Sequence, residues 1–222
     1  MKNANFETVV DVGSGEAPVR GFLHGAHGDS AGVIILTHGA GGNSNAPLLL
    51  ALCEGFAAIG LNALRCDLPF RQRRPTGPPS PSDAQKDQDG LRRAVTLMKD
   101  RFGGRAFLGG VSYGGRQASM LVADKPTLVE GLLLLSYPLH PPGRASQLRT
   151  AHFPRLQVPT LFVSGTRDAF GTEAELQSAI KLVAGPSKLV LIEGAAHGLL
   201  QKSNRGELPG KIMEEFQRFV VT

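Results

Sequence analysis

Apolar residues along this chain fall into short blocks with two kinds of spacing. GVIILT at Gly32–Thr37 and GLLLLS at 131–136 are unbroken runs, the pattern of strands buried on both faces. Shorter blocks at 62–65, 106–111, 160–164 and 188–192 read as further strands. Between them, apolar residues recur at helical spacing over 48–59, closed by Gly60, and over 115–123, 172–183 and 207–221. Ser82 or Asp83 is a suitable cap for one more helix running to about Lys99. Residues 6–12 and 19–24 read as two strands joined by a glycine-containing turn.

From Gly32 onward strand and helix alternate. That order predicts an α/β fold, a mostly parallel sheet with helices on both faces, because parallel neighbours need crossover helices. Eight strands are expected, six of them in the alternating part, in one domain over 1–222. No internal repeat stands out, and no segment has room for a large lid. The longest irregular stretches, 67–82 and 137–156, are therefore expected to shape any pocket. The part over 71–82 is dense in proline and arginine and reads as a surface loop.

Composition narrows the function classes. With 41% hydrophobic and 19% charged residues, 222 residues suit one soluble globular core. No uncharged apolar run reaches membrane-spanning length, and Met1–Asn5 lacks the apolar core of a signal peptide. Cys53 and Cys66 are the only cysteines, without a spaced Cys/His cluster, so neither a disulfide framework nor a zinc site is expected. The cytoplasm is the expected location. The net charge of +5 permits an anionic partner, but no Lys/Arg block with interleaved aromatics points to nucleic acid.

The chemistry centres on Ser112, in Gly110-Val111-Ser112-Tyr113-Gly114. A G-x-S-x-G leaving a strand and entering a helix is a tight turn that displays the serine at the carboxyl edge of a sheet. Glycines flank it because side chains there would meet the neighbouring strand and helix. The pentapeptide alone is weak, with roughly 0.2 matches expected by chance at this composition. Its setting carries the reading. A serine hydroxyl needs a base, and the base an orienting carboxylate. Asp168 follows the strand at 160–164 and His197 the strand at 188–192, so both lie just past strand ends, at the edge where Ser112 is displayed.

Asp168 as a cap of the helix near Thr172, with His197 a surface histidine, is the plain alternative. Asp67 suits a loop-shaping or pocket role, and Glu193 lies too near its own strand end to orient His197 easily. His24 and His27 belong to the N-terminal hairpin and are expected to be exposed. His38 is expected to fix the Gly-rich loop His38-Gly39-Ala40-Gly41-Gly42, while His140 and His152 lie in a stretch bordering the pocket. An oxyanion needs two backbone N–H donors. Tyr113 supplies one and the Gly-rich loop the other, Ala40 first and Gly41 next. Arg71, Arg73 and Arg74 are candidate contacts for an acidic or phosphorylated substrate group, and His140 is a further candidate substrate contact.

These motifs resemble the α/β-hydrolase superfamily: His38–Gly42, Gly110–Gly114, Gly165-Thr166-Arg167-Asp168 and Ala196-His197-Gly198. More closely, Asp67-Leu68-Pro69-Phe70 and the segment 136–143 are similar to the lidless testis-expressed protein 30-like and KANSL3-like hydrolase group. There is also a resemblance to dienelactone hydrolases, which typically use cysteine where this chain has serine. The resemblance implies the fold and hydrolase chemistry but supplies no substrate. Together with Ser112, His197 and Asp168 and the lack of a lid, the expectation is a serine hydrolase acting on a small ester, thioester or amide, with a small-molecule substrate and no metal or organic cofactor. Acyl transfer or perhydrolysis by the same residues, and a non-catalytic interaction protein on the same fold, are the alternatives.

Overall fold

The alternation inside Gly32–Thr37 decides the layering. Val33 and Ile35 pack into one buried cluster, Ile34 and Leu36 into another on the opposite face, so this strand (β3) is fully buried. The computed structural model describes residues 6–11 and 18–222. The glycine-containing turn expected after the first strand, and the start at Met1–Asn5, lie outside the described residues.

Among the described residues the sheet has eight strands in the order β1-β2-β4-β3-β5-β6-β7-β8. They are β1 (Glu7–Asp11), β2 (Val19–His24), β3, β4 (Leu61–Asp67), β5 (Arg105–Val111), β6 (Gly131–Leu135), β7 (Thr160–Gly165) and β8 (Ser187–Ile192). Only β2 runs antiparallel to its two neighbours; from β4 to β8 every pair is parallel. Helices α1 (Pro47–Ala58) and α6 (Leu208–Phe216) cover one face, through Leu49, Phe56, Ile212 and Phe216. Helices α3 (Ala84–Phe102), α4 (Tyr113–Asp124) and α5 (Glu173–Ile180) cover the other, through Leu91, Val95, Val122 and Leu176. The chain leaves β3 towards β4 on one side and returns to β5 on the other. Strand order reverses there, which opens a crevice above the strand ends.

Several boundaries differ from expectation for physical reasons. The arginine-rich stretch begins as a short helix, α2 (Pro69–Arg73), because Pro69 presets the first turn. The closing helix is α-helical to Phe216 and continues to Val221 as a wider π turn. His24 is buried rather than exposed; its Nε2 accepts from Arg65 Nε at 3.1 Å, and burial pushes its pKa down to about 4. Arg65 is itself buried, lying over Phe6 and Phe22 and donating to the Ser44 carbonyl at 2.8 Å. Cys53 and Cys66 are buried free thiols, and burial pushes Cys66 up to about 12, so its thiolate is not formed near neutral pH. Among the described residues no helix is long and apolar enough to cross a membrane.

Candidate active site

Parallel strands all end on one edge, and four of those ends deliver the predicted residues to one place. The loop 38–42 follows β3, Ser112 follows β5, Asp168 follows β7 and His197 follows β8. Thr37 pairs with Gly110, so the Gly-rich loop emerges beside Ser112.

Ser112 sits at φ 52°, ψ −116°, a region non-glycine residues rarely occupy. Its N–H donates to the Leu135 carbonyl at 2.8 Å, which holds the turn down while the side chain stands up. The turn is tight enough that a Cβ on Gly114 would lie 2.4 Å from the His38 carbonyl oxygen, and one on Gly110 2.8 Å from the Gly115 nitrogen. Tyr113 anchors the start of α4. Its hydroxyl donates to Asp87 Oδ2 at 2.8 Å while Asp87 Oδ1 accepts from Phe70 N–H at 2.9 Å.

His197 Nε2 lies 2.8 Å from Ser112 Oγ, and its Nδ1 lies 2.8 Å from Asp168 Oδ2 and 3.0 Å from Oδ1. The Asp168 side chain is almost completely buried and also accepts from Phe170 N–H at 2.9 Å. It does not cap α5. Thr172 does, accepting from Glu175 N–H while Glu175 accepts from Thr172 N–H. The carboxylate is therefore left to the imidazole. The Phe170 ring stacks on His197 with centroids 4.1 Å apart. Sequence reading missed Phe170, since a lone aromatic in a turn has no periodic signal.

His38 organises the loop. Its Nδ1–H donates to the Gly39 carbonyl at 2.8 Å and its Nε2 accepts from Leu68 N–H at 3.1 Å, an arrangement that requires the neutral ring. Burial lowers its pKa, in keeping with that tautomer. Asp67 Oδ1 accepts from Ser44 N–H at 2.7 Å, the loop-shaping place expected of it. Carbonyl and N–H of one peptide point in opposite directions. Gly39 C=O is held by His38 and by Gly42 N–H (3.1 Å), so Ala40 N–H faces away from that contact.

The expected anion-binding arginines are not brought to the serine. Arg71 is buried, and its guanidinium donates to four carbonyls, those of Ala40 (2.7 Å), Gly42 (2.8 Å), Gly77 (3.0 Å) and Arg74 (3.1 Å). Arg73 and Arg74 pair with Asp83 at 2.6 and 2.7 Å. His140 is also elsewhere: it packs against the Pro141 carbonyl at 2.9 Å and Glu175 at 3.3 Å and lines neither cavity beside Ser112. His152 is buried against Ser119 Oγ at 2.8 Å, with its pKa pushed down to about 4 by burial. His27 is exposed as expected. Glu193 faces Thr166 at 3.4 Å.

Two cavities meet at Ser112, Ala40 and Phe170. One, of about 540 Å³, is walled by the Gly-rich loop, Leu48, Leu200 and His197. The other, of about 510 Å³, is walled by Pro78, Pro79, Met120 and Pro138, with Arg116 and Arg149 in its lining. Both volumes fall within the usual range of small-molecule sites.

Comparison with known proteins places this geometry in context. Residues 30–221 match the family profile of an alpha/beta hydrolase domain. A stretch of 59 residues is 37% identical to epoxide hydrolase A of Mycobacterium tuberculosis, covering 27% of this chain and 18% of that protein, less than a fifth of the relative's length. Among solved structures, a dienelactone hydrolase from Anabaena variabilis superposes with a TM-score of 0.75 at 21% identity, over 97% of this chain and 99% of that one. A serine hydrolase without a lid from Xanthomonas campestris gives 0.73 at 17% identity, over 96% and 94%. At these identities the structural likeness is one of fold.

Proposed function

We propose that this chain, which belongs to the alpha/beta hydrolase domain family, is a serine hydrolase that cleaves small esters, thioesters or amides through an acyl-enzyme. The observation that carries this reading is the continuous hydrogen-bonded line Ser112 Oγ, His197, Asp168, with both links at 2.8 Å. His197 Nε2 takes the proton as Ser112 Oγ attacks the carbonyl carbon. The developing oxyanion lies between the N–H groups of Tyr113 and Ala40, with Gly41 beside them. Tyr113 opens α4, where first-turn N–H groups have no partner within the helix. His197 then gives its proton to the leaving group. Water enters, loses a proton to His197, and attacks the acyl-enzyme; the acid departs and Ser112 is regenerated. Every step uses protein groups and water, so the scheme needs no metal or organic cofactor.

We assign the protein to the cytoplasm and give it a small-molecule substrate. Its buried free cysteines support the first and the volume of the two cavities the second. The closer kinship with the testis-expressed protein 30-like group is part of the same reading, supported by the segments 67–70 and 136–143.

The test is covalent labelling of folded protein by a fluorophosphonate, with the adduct mapped by peptide mass. The reading expects one adduct, on Ser112. No labelling would overturn it in favour of an interaction protein on a hydrolase fold.

Arg71 enters this scheme as a positioning residue. By holding Ala40 C=O it turns Gly41 N–H the opposite way. Arg71→Met should lower kcat about 10–100-fold with little change in KM, a part of what losing an oxyanion donor costs. Arg71→Lys should not restore it, because one ammonium cannot span four carbonyls. The check is kcat per fluorophosphonate-titrated site. A purely structural role would lower the number of titrated sites and leave that ratio unchanged.

A further inference from the structure

Most arginines in this protein have their charge answered. Arg73, Arg74, Arg93, Arg101, Arg105, Arg155 and Arg218 pair with carboxylates, while Arg65 and Arg71 donate to backbone carbonyls. Arg116 and Arg149 differ. Both are half-buried and both line the 510 Å³ cavity beside Ser112. Among the described residues no carboxylate pairs with either. Arg116 Nε is buried without a hydrogen-bond partner, and the Arg149 guanidinium makes a long contact, 3.3 Å, to the Pro138 carbonyl. Arg116 lies four residues after Ser112 on α4, hence on the same helix face one turn on. Burial, with a smaller contribution from the like charge of Arg116, holds Arg149 below the usual arginine range. Burying two like charges without a counter-ion is unfavourable. Within the fold they meet only neutral groups, the Tyr137 hydroxyl beside Arg116 and the Pro138 carbonyl beside Arg149, and a bound anion would supply the missing negative charge.

We propose that Arg116 and Arg149 form an anion subsite that receives a terminal carboxylate on the acyl part of the substrate, so that the substrates are half-esters or half-thioesters of short dicarboxylic acids. This rests on the serine hydrolase reading above. The acyl assignment follows from the other cavity. His197 must protonate the leaving group, and His197 lines the 540 Å³ cavity and not this one. The leaving group therefore departs on the His197 side, and the acyl chain extends towards the arginines. The cavity that holds both the serine and the arginines has a mostly apolar lining, with Met120, Pro138 and Phe170 among its walls, which suits methylenes between the scissile carbonyl and the carboxylate. A guanidinium fork binds a carboxylate through paired, charge-assisted N–H bonds.

The test compares mono-p-nitrophenyl glutarate with p-nitrophenyl pentanoate, matched in chain length and differing in the terminal charge. Wild type should prefer the glutarate by about tenfold or more in kcat/KM, and Arg116→Gln and Arg149→Gln should each collapse that ratio by about tenfold. Arg149→Lys should keep part of it, since charge remains while the fork is lost. In parallel, calorimetry measures free glutarate and inorganic phosphate binding to Ser112→Ala protein. Glutarate bound more tightly than phosphate, and lost in the Arg116→Gln background, is the expected result. No preference for the charged ester, or a ratio untouched by both substitutions, overturns the proposal; phosphate binding as well as glutarate overturns the carboxylate assignment. If glutarate binds yet Ser112 takes no fluorophosphonate, the hydrolase reading fails while the subsite stands. If Ser112 labels and the pentanoate turns over without charge preference, only the subsite fails.

Discussion

Ser112→Ala is expected to lower kcat for p-nitrophenyl acetate by on the order of 10⁴–10⁶ while leaving the fold intact. The substitution removes one oxygen and little else. Ser112 N–H still donates to Leu135, and the β-carbon still fits the turn that Gly110 and Gly114 make possible. Without Oγ the base has no proton to take and the carbonyl no nucleophile. The N–H donors proposed at Tyr113 and Ala40 remain, so a residual rate above that in water is expected from oxyanion binding alone. The measurement is kcat of purified protein, with circular dichroism to establish folding. A loss smaller than about tenfold would mean that another group attacks the ester, and the role assigned to Ser112 would be wrong.

Asp168→Asn should cost about 10⁴ in kcat, through the tautomer of His197 rather than through geometry. Asp168 Oδ1 accepts from Phe170 N–H at 2.9 Å, and Oδ2 is the oxygen nearest His197 Nδ1, at 2.8 Å. In asparagine, the carbonyl oxygen takes the place facing Phe170 N–H and the amide NH₂ takes the place facing Nδ1. That NH₂ can only donate, so Nδ1 must accept and the ring proton moves to Nε2. Nε2–H then faces Ser112 Oγ and cannot take its proton. Two readouts separate this from simple loosening. KM should change far less than kcat, and the Nδ1 proton resonance present in the wild type should be missing in the variant. A variant that keeps both the resonance and the rate would remove Asp168 from the mechanism.

Much of the fold was legible because both of its periodicities are local. A run such as GVIILT has to be buried on both faces, and strand–helix alternation leaves a parallel sheet as the way to bury it. Parallel strands end on one edge, so placing Ser112, Asp168 and His197 after strands already put them on that edge. The irregular segments were less legible. Proline and arginine over 71–82 read as loop, while Pro69 in fact starts a helix whose Arg71 turns inward.

What the sequence determined by itself was therefore the strand–helix order and the edge at which the serine, the acid and the histidine emerge. Only the tertiary structure decided which charges are answered. Arg71 meets Ala40 and Gly42 about thirty residues away, Arg65 lies against Phe22 and His24, and Arg116 and Arg149 face a cavity with no carboxylate. The physical reason is that an arginine's partner can be a backbone carbonyl, which every residue carries. No pattern of side chains marks which carbonyl it will meet, and only the packed chain brings the two together.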